Sequence, residues 1–320
     1  MNSIETYTEI INKALSGILY TTEPSGLYTP IKYQLDMGGK RVRPLLAVMA
    51  CDALGGDISE VIQPAIGIEI FHNFTLLHDD VMDKADIRRG RPTVHKAWSE
   101  NVAILSGDAM QIIAYQKIGE TPRDRLKEVL CHFTEIALEI CEGQQYDMEF
   151  EMRSNVTEEE YIEMIRLKTA VLMGCALKIG AIVARASQAE IEALYRFGEN
   201  LGMAFQLQDD YLDVYGDPIK FGKNIGGDIL NNKKTYMLIS ACRIAAGAEK
   251  EELLRLLQTA ATDPNAKIKA VTAIYTKLGI DHLARQKMDL YYQNAIKELD
   301  IIPDNLLLKR FSAELMQRQS

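Results

Sequence analysis

Two short stretches of this sequence carry acidic residues in the same pattern, DDxxD. The first copy starts at Asp79 in "FTLLHDDVMD" and the second at Asp209 in "AFQLQDDYLD". Residues four apart share one face of a helix, so Asp79 and Asp83 would place two like charges side by side, which weakens an isolated helix. This repulsion is offset if a cation lies between the carboxylates. We therefore interpret the two stretches as parts of a cation site.

Magnesium is the cation that such carboxylates favour. If both stretches end apolar helices and face one cavity, their carboxylates repel one another unless divalent ions lie between them. Mg²⁺ prefers octahedral oxygen coordination, binds one or two protein carboxylates, and completes its shell with water and substrate phosphates. A single DDxxD is also typical of a solvated helix end. Two copies, each behind an apolar helix face and each followed by basic residues, favour the metal site.

The basic residues near these stretches indicate a substrate with clustered negative charge. They follow either an acidic stretch or a Gly-Gly turn, and they are Lys40, Arg41, Arg43, Arg88, Arg89, Lys223, Lys233 and Lys234. Arginine and lysine bind phosphate oxygens through charge-assisted hydrogen bonds. A diphosphate fits both the metal and the basic side chains. The apolar residues that precede both acidic stretches suggest that the rest of the substrate is hydrocarbon.

The elements that must position these residues are predicted to be helices. Apolar residues at 66, 70, 74, 77 and 81 form one helical stripe that leads into the first acidic stretch. Helix-start signals recur, and they are the capping boxes Thr157–Glu160 and Ser187–Glu190 and the N-cap Thr121 before Pro122. No run of alternating polar and apolar residues predicts a strand. We predict an all-α chain of about a dozen helices with short connections, in one domain over residues 1–320.

The composition excludes several classes of function. The chain has 320 residues and a net charge of −9, and an acidic chain is a poor binder of nucleic acid. No basic segment precedes an apolar run at the start, and no stretch of about 18 apolar residues could span a membrane, so we expect no signal peptide and no stable membrane anchor. "TAVLMGCALKIGAIVARA" is interpreted as a buried helix. The five cysteines form no CxxC pair, and we interpret them as buried, reduced thiols of a cytoplasmic protein.

The chain resembles the trans-type (head-to-tail) isoprenyl diphosphate synthases, also called polyprenyl synthetases. The matching stretches are "GGKRVRP", "LLHDDVMDKADIRRGRPTVH", "GD" at 107–108, "GQQYD", "LKTA", "FQLQDDYLDVYGD" and "FGKNIGGDILNNKKT". They occur in the family's order and cover roughly residues 35 to 240. The resemblance implies the all-α isoprenyl synthase fold around a central active-site cavity, a homodimer, and a Mg²⁺-dependent prenyltransferase that joins isopentenyl diphosphate to an allylic diphosphate.

The resemblance also implies roles for individual residues. The magnesium ligands would be Asp79 and Asp83 for two ions and Asp209 for a third, supported by Asp80, Asp210 and Asp213. The cations that bind the allylic diphosphate would be Arg88, Lys168, Lys223 and Lys233. The residues that bind isopentenyl diphosphate without metal would be Lys40, Arg43, His72 and Arg89. Thr169 and Gln206 would lie along the reacting carbons. The roles of Arg41 and Lys234 stay open, because their basic neighbours compete for the same function.

The implied reaction proceeds by ionisation, condensation and elimination. Three Mg²⁺ ions and the basic side chains would stabilise the diphosphate as it leaves, so that the allylic carbon–oxygen bond breaks towards a carbocation. The double bond of isopentenyl diphosphate would attack this carbocation. The departing diphosphate would accept the proton that is then lost, and the oxygen dipoles of Thr169 and Gln206 would stabilise the cation.

Side chains before the first acidic stretch are expected to limit the length of the product. Thr75 and Phe71 lie four and eight residues before Asp79 and share roughly its helix face. Thr75 is small, whereas Phe71 is large enough to stop the hydrocarbon two turns down, and the family often uses an aromatic residue at the position of Phe74. This short tunnel favours C20 geranylgeranyl diphosphate, with C15 farnesyl diphosphate second. Residues 105–118 are expected to form the opposite wall, with three further candidates for its floor, Met110, Ile113 and Tyr115.

Alternative functions share parts of this pattern. A class I terpene cyclase also carries DDxxD, but its second metal motif is usually NSE-like, where this chain has three aspartates. A non-catalytic subunit of a heteromeric synthase is disfavoured because both motifs are intact, while a longer-chain synthase would share every motif. The dipeptide His78–Asp79 is also found in metal-dependent phosphohydrolases, but that function leaves the second DDxxD unexplained. His95, Trp98 and His132 are predicted to pack or to anchor loops.

Overall fold

The computed structural model describes residues 3–18, 23–217, 225–258 and 263–317, and they are almost entirely helical, as predicted. The helices of the first half are α1 (Ile4–Ser16), α2 (Ser25–Asp36), α3 (Val42–Ala53), α4 (Ile58–Met82), α5 (Val94–Ala97), α6 (Glu100–Ile118), α7 (Leu126–Met152) and α8 (Glu158–Ile165). A π-helical turn, Arg166–Ala170, follows α8. The later helices are α9 (Val171–Val183), α10 (Gln188–Tyr215), α11 (Gly227–Leu230), α12 (Tyr236–Ile244), α13 (Gly247–Gln258), α14 (Pro264–Lys277), α15 (Ile280–Glu298) and α16 (Leu306–Met316), with a 3₁₀ turn at Leu299–Ile301.

Contacts within the chain define two compact units. Unit 1 consists of Met1–Thr134, Cys175–Tyr195 and Ile301–Leu308. Unit 2 consists of Glu135–Gly174, Arg196–Asp300 and Lys309–Ser320. The boundaries fall inside helical segments rather than in linkers. A single domain over residues 1–320 stays a prediction.

Unit 1 is built around α4, the helix that ends at the first acidic stretch. The predicted apolar stripe is confirmed, since Ile66, Ile70 and Phe74 are all buried. Helix α4 packs against α3 and α6. A Cβ on Gly67 would lie 2.9 Å from the carbonyl oxygen of Ala114, so α6 approaches the backbone of α4 directly at this glycine.

Unit 2 has an apolar core of its own, which includes Ala170 of the π-helical turn. Two glycines allow neighbouring helices to touch the backbone of this turn. A Cβ on Gly143 of α7 would lie 2.4 Å from the amide nitrogen of Lys168, and a Cβ on Gly202 of α10 would lie 2.6 Å from the Cα of Ala170. No side chain fits in either place, so the π-helical turn is held between two helix backbones.

Two of the three predicted helix starts are confirmed. The hydroxyl of Thr157 accepts from the amide of Glu160, whose carboxylate accepts from the amide of Thr157, and Ser187 and Glu190 make the same reciprocal pair. The prediction for Thr121 was wrong. Its hydroxyl donates to the carbonyl oxygen of Ile118 at the end of α6 (2.7 Å), and a turn over 122–125 precedes the start of α7.

A small hairpin follows the first acidic stretch and was not predicted. Strands β1 (Ile87–Arg88) and β2 (Arg91–Pro92) pair antiparallel. Arg89 and Gly90 form the connecting turn with φ of 52° and 74°. A two-residue turn with positive φ at both positions suits the twist of a hairpin, and glycine is common there. Strands of two residues are too short to show an alternating pattern, so no sequence pattern predicts this hairpin.

The prediction of a buried helix is confirmed, whereas the prediction for the cysteines is wrong in part. Helix α9 is buried along most of its length, as predicted for "TAVLMGCALKIGAIVARA". Cys51 and Cys175 are buried, but Cys131 and Cys141 are exposed, which corrects the prediction that all five thiols are buried. Both lie on α7 where its surface faces solvent. Among the described residues, no helix combines the length and the apolar character that a membrane crossing requires.

Candidate active site

The first acidic stretch forms the last turn of α4. Asp79 is half-buried, and Asp83 is exposed at the C-terminal end of the helix, where its amide donates to the carbonyl oxygen of Asp79 (2.8 Å). The helical backbone between them places both carboxylates on one face, as predicted. Asp80 points elsewhere, because it is buried with 2% of its surface exposed. The three aspartates of the motif therefore have different environments.

Asp80 binds Arg88 rather than facing solvent. The Nε of Arg88 lies 2.9 and 2.8 Å from the two carboxylate oxygens of Asp80, and the guanidinium Nη2 lies 2.8 Å from one of them. Burial raises the pKa of Asp80, and Arg88 opposes this shift. The ion pair connects the end of α4 to strand β1. Arg88, predicted to bind the allylic diphosphate, thus also neutralises a buried carboxylate of the same motif.

Arg89 and the Gly-Gly turn lie together. The guanidinium of Arg89 donates to the carbonyl oxygen of Gly38, and a Cβ on Gly39 would lie 2.9 Å from its nitrogens. Gly39 has φ of 139°, so glycine is required there for two reasons. Lys40 is exposed next to this turn, and Arg43 is half-buried in the first turn of α3. Three of the residues predicted to bind isopentenyl diphosphate are therefore neighbours in unit 1.

The role of Arg41 was left open from the sequence. Its side chain is buried and forms an ion pair with Glu69 of α4 (2.8 Å), and it also donates to the carbonyl oxygen of Leu35 (2.9 Å). Asn73 completes the group by donating to Glu69 (3.0 Å). Arg41 therefore anchors the Gly-Gly turn to α4, and Glu69 is the carboxylate that the sequence did not reveal as its partner.

The surroundings of His72 disfavour the charged form of its imidazole. Burial holds the pKa of His72 well below its usual value, and the nearby Arg43 and Arg89 reinforce this effect. A neutral imidazole can still donate one hydrogen bond and accept another. His72 is half-buried on α4, and its carbonyl oxygen accepts a hydrogen bond from the hydroxyl of Thr75 (2.8 Å).

The second acidic stretch lies on α10 and is part of a hydrogen-bond network in unit 2. Asp210 is buried and accepts from Tyr161 of α8 at one oxygen and from the Nε2 of Gln206 at the other (3.0 Å). The Oε1 of Gln206 accepts from the hydroxyl of Thr169 in the π-helical turn (3.0 Å). Burial and the nearby Asp228 raise the pKa of Asp210. These contacts join Thr169 and Gln206, the residues predicted along the reacting carbons.

The other two aspartates of this stretch are less buried. Asp209 is half-buried on α10. Asp213 lies one turn further on, where a carboxylate oxygen accepts from the amide of Asp228 (3.0 Å) and its carbonyl oxygen accepts from the amide of Gly226 (2.7 Å). Asp213 therefore fixes the segment that leads to Lys233 and Lys234. Lys223, which was predicted to bind the allylic diphosphate, lies outside the described residues.

Two of the predicted phosphate-binding lysines share one carboxylate. The Nζ of Lys168 lies 2.6 Å from Asp147 of α7, and the Nζ of Lys233 lies 3.7 Å from the same oxygen. Burial opposes ionisation of Asp147, but the two lysines outweigh it and lower its pKa. Lys168 and Lys233 line a pocket together with Thr169, Gln206 and Asp210. Lys234 borders the same pocket, and its Nζ donates to the carbonyl oxygen of Asn232 (3.2 Å).

The acidic stretches fit magnesium rather than a metal held by a full protein cage. In the part of the chain that the structure describes, no three Asp, Glu, His or Cys side chains converge on one point. Mg²⁺ needs only one or two carboxylates and fills its other positions with water and phosphate oxygens. Asp79, Asp83 and Asp209 offer oxygen donors on partly exposed helix surfaces, which is the donor type that Mg²⁺ prefers.

The residues predicted to limit product length form an aromatic cluster in unit 1. Phe71 is fully buried, with ring centres 5.3 Å from Phe74 and 5.2 Å from Phe133 of α7. Tyr115 of α6 lies 5.1 Å from Phe133, so the wall predicted over 105–118 borders the same cluster. Met110 is also buried. The assignment of a length-limiting role to Phe71, Phe74 or Thr75 stays a prediction.

Two histidines near the first motif, His78 and His95, make packing contacts. His78 lies against α6, where its Nε2 is 3.1 Å from the carbonyl oxygen of Ile104, and a Cβ on Gly107 would lie 2.2 Å from the same nitrogen. This explains the glycine of the "GD" stretch. His95 lies 3.2 Å from the hydroxyl of Thr93, which donates to the preceding loop. His95 is buried beside Thr93, which agrees with the prediction that it packs or anchors a loop.

Asp147 and Tyr161 are candidate functional residues that the sequence reasoning missed. Asp147 ends the "GQQYD" stretch, and its position in a matched stretch was a usable signal. Tyr161 follows a capping box at a position where a tyrosine ordinarily indicates a buried packing residue. Its contact with Asp210 joins residues 49 positions apart, which no local pattern predicts.

Comparison with known proteins gives a consistent result. The sequence model of the family "Polyprenyl synthetase" matches residues 24–275. A geranylgeranyl diphosphate synthase of Methanosarcina mazei is 33% identical over 100% of this chain and 98% of its own. A geranylgeranyl pyrophosphate synthetase from Pyrococcus horikoshii Ot3 superposes with a TM-score of 0.93 at 33% identity, covering 99% and 97%.

A further solved structure bears on the ligands. It is a geranylgeranyl pyrophosphate synthase from Corynebacterium glutamicum, complexed with isoprenyl diphosphate and magnesium. It superposes with a TM-score of 0.88 at 25% identity and covers 99% of this chain and 100% of its own. The family match extends over most of the chain, and the similarity to solved structures includes nearly all of it. The chain therefore belongs to the polyprenyl synthetase family and is a trans-prenyltransferase of the isoprenyl diphosphate synthase type.

Proposed function

We propose that this chain condenses isopentenyl diphosphate with an allylic diphosphate and that its main product is C20 geranylgeranyl diphosphate. The observation that carries the proposal is that the three aspartates of the first motif have different environments. Asp79 and Asp83 share one partly exposed face at the end of α4, while Asp80 is turned inward onto Arg88. This arrangement leaves two carboxylates for cations and retains the third as structural support.

Mg²⁺ is the proposed cofactor, with three ions per active site. Asp79 and Asp83 would hold two of them and Asp209 the third. When bound, the ions would withdraw charge from the diphosphate oxygens and so favour departure of the diphosphate. Support comes from the oxygen donors described above and from the magnesium complex of the Corynebacterium glutamicum relative.

The basic side chains are proposed to bind the two diphosphates separately. Lys168 and Lys233 would bind the allylic diphosphate, with Asp147 holding them in place until the substrate arrives. Arg88 and Lys223 are assigned to the same diphosphate. Isopentenyl diphosphate would bind to Arg89, Lys40 and Arg43, and the neutral His72 would donate a hydrogen bond to it without adding charge.

The polar residues of the π-helical turn are proposed to act on the hydrocarbon. As the allylic carbon–oxygen bond breaks, the oxygens of Thr169 and Gln206 would face the positive carbon. The double bond of isopentenyl diphosphate forms the new carbon–carbon bond. The proton then lost from the new cation would pass to the departing diphosphate.

Product length is proposed to be set by the aromatic cluster behind the first motif. A C20 product needs a tunnel that ends about two helical turns from Asp79, where Phe71 and Phe74 lie on α4. The names of the relatives support a geranylgeranyl product. Farnesyl diphosphate is the second candidate.

The wider setting of the enzyme is proposed from the resemblance and the composition. We assign a homodimer and a cytoplasmic location, with no nucleic-acid partner because the net charge is −9. No stable membrane anchor is proposed. The reaction proposed for the active site does not depend on these assignments.

Single substitutions of the proposed metal ligands test the function. Asp79→Ala and Asp209→Ala should each lower turnover with farnesyl and isopentenyl diphosphates at least about 1000-fold, since each removes a ligand of the ions that stabilise the leaving group. Asp86→Ala is the matched control, because Asp86 is an exposed aspartate of the same segment that pairs with Lys96. It should keep normal turnover. Near-normal turnover in either motif variant would overturn the assignment.

A further inference from the structure

Tyr161 makes a polar contact that core packing alone does not require. It is fully buried in the apolar core of unit 2, yet its hydroxyl donates to Asp210. Buried hydroxyls usually need a partner, and a carboxylate is a strong one. Asp210 is thereby occupied on both oxygens, because Gln206 donates to the other one. The protein thus holds both oxygens of Asp210, which borders the pocket with 7% of its surface exposed.

The direction of each hydrogen bond in this network follows from the chemistry of the groups. In the structure the Nε2 of Gln206 faces Asp210, and the ionised form of this carboxyl group can only accept. The amide oxygen of Gln206 then faces Thr169, and it can only accept. The hydroxyl hydrogen of Thr169 is therefore used in this bond. The lone pairs of Thr169 are left to face the pocket that Lys168 and Thr169 line.

We propose that Tyr161 is a positioning residue, which acts through Asp210 and Gln206 to hold the hydroxyl of Thr169 as an acceptor towards the positive carbon of the reaction. The inference rests on the proposed function of the site. Without the hydroxyl of Tyr161, Asp210 loses one of two donors and its carboxylate can rotate. The amide of Gln206 is then free to reverse, and the hydroxyl hydrogen of Thr169 can turn into the pocket. A hydrogen in that place repels a developing cation.

This role predicts a specific kinetic signature. Tyr161→Phe should slow the single-turnover conversion of farnesyl diphosphate about 10- to 100-fold, the effect of one lost hydrogen bond to a charged group. The dissociation constants of both diphosphates should stay unchanged, because Tyr161 touches neither. Single turnover is measured because release of the product limits many steady-state rates.

Tyr275→Phe is the matched control. Tyr275 is a similarly buried tyrosine in the same core, and among the described residues the hydrogen bonds to the Asp210 side chain come from Tyr161 and Gln206 instead. The two variants remove the same atom from the same kind of environment. The control should retain the wild-type rate. If Tyr161→Phe and Tyr275→Phe have equal rates, Tyr161 is a packing residue and the inference is wrong, while the proposed function stands.

A double-mutant cycle tests whether Tyr161 acts through Asp210. Asp210→Asn replaces one acceptor by a donor and should slow single turnover. In that background, Tyr161→Phe should add less than about a 2-fold effect, because the relay is already broken. Fully additive effects would overturn the inference. If Tyr161→Phe fails to fold, Asp210→Asn is measured alone, and a wild-type single-turnover rate in this variant would then overturn the inference. A wild-type chain without condensation would overturn the proposed function together with the inference.

Discussion

At the scale of single residues, the two arginines that follow the first motif differ in their surroundings. The side chain of Arg88 is 26% exposed and that of its partner Asp80 is 2% exposed, so their ion pair lies largely within the protein. Arg89 instead contacts the backbone of the Gly-Gly turn. Replacing Arg88 therefore leaves a buried carboxylate without its cation, whereas replacing Arg89 removes a hydrogen bond to a backbone carbonyl.

Arg88→Ala should lower the free energy of unfolding by about 3 kcal/mol, because it leaves the buried carboxylate of Asp80 without its cation. Adding Asp80→Asn should restore much of the loss. Lys96→Ala is the control, since its pair with Asp86 is exposed and should contribute less than about 1 kcal/mol. Urea unfolding of the four proteins measures this. Equal stabilities of the Arg88 and Lys96 variants would show that the buried ion pair contributes no more to the free energy of unfolding than the exposed one.

Phe71 and Phe74 are the residues from which product length is predicted. Replacing either by alanine enlarges the space behind the first motif, so Phe71→Ala, Phe74→Ala or the double variant should yield chains longer than those of the wild type from farnesyl diphosphate. Phe71→Ala should also cost about 3–5 kcal/mol of stability, because it is fully buried. Phe197→Leu, a change at a buried phenylalanine of unit 2, should leave the product unchanged. Wild-type product from all three variants would place the limit on α6.

Sequence reasoning identified the acidic and basic residues because their types and spacing are local. It did not identify their partners. Glu69 binds Arg41 across 28 positions and Tyr161 binds Asp210 across 49, and neither separation has a periodic signature. The role of Arg41 also stayed open in the sequence, because burial decides it and burial follows from packing.

At the scale of elements, the π-helical turn positions two candidate residues at once. An inserted residue widens the helix, and such turns are frequent at functional sites. Here the wider turn carries Lys168 and Thr169, and the glycines of α7 and α10 allow it to pack without a gap. The shape of this turn therefore depends on small residues in its neighbours.

Gly143→Ala should displace the π-helical turn, because the added methyl would lie 2.4 Å from the amide nitrogen of Lys168. A backbone neighbour cannot rotate away, so we expect at least about a 10-fold lower rate and a loss of about 1–3 kcal/mol in stability. Gly26→Ala is the control, since a Cβ there meets nothing within 4 Å in helix α2. It should be neutral or slightly stabilising. The prediction is wrong if both variants have wild-type rates and melting temperatures.

The lowered pKa of His132, a residue of α7, makes the stability of the folded chain depend on pH. Burial, reinforced by Lys178, lowers the pKa of His132 to about 4. The unfolded chain binds a proton at this residue below about pH 6.5, whereas the folded chain does not until about pH 4. The stability contributed by neutral His132 is therefore complete above pH 6.5 and is lost as the pH falls towards 4, with a loss of about 2 kcal/mol at pH 5.

Urea unfolding of the wild type and of His132→Phe between pH 7 and pH 4 measures this effect. Phenylalanine keeps a ring against Tyr195, which lies 5.6 Å from the imidazole, and it cannot titrate. The stability of the variant should fall less steeply with acid. His72 also has a lowered pKa and should leave part of the slope in place. Parallel curves for the two proteins would contradict the assignment of His132.

Most helices were predictable because their apolar periodicity and their capping boxes are strong local signals. The start of α7 was not predictable. Thr121 is a residue type typical of an N-cap, but its hydroxyl donates to the carbonyl oxygen of Ile118 in α6. The hairpin after the first motif was also missed, because it consists of two residues in each strand. Short elements of this kind are held by their surroundings rather than by propensity.

At the scale of the whole molecule, fold class and chemistry follow from features distributed along the chain. The two aspartate motifs and the basic stretches follow one another along a chain with helical periodicity. The family match over residues 24–275 covers all of them. Product length is different. It depends on how a few aromatic side chains pack around Phe71, and a sequence motif does not encode that packing.

The central claim is that this chain alone is a Mg²⁺-dependent synthase of a C20 diphosphate. The most direct measurement is to incubate the purified chain with farnesyl diphosphate, isopentenyl diphosphate and Mg²⁺, and to determine the chain length of the extracted product. We expect geranylgeranyl diphosphate as the main product, its formation to stop when the metal is chelated, and activity to return when Mg²⁺ is restored. A cyclic hydrocarbon, chains of C30 or longer, or no condensation at all would contradict the claim.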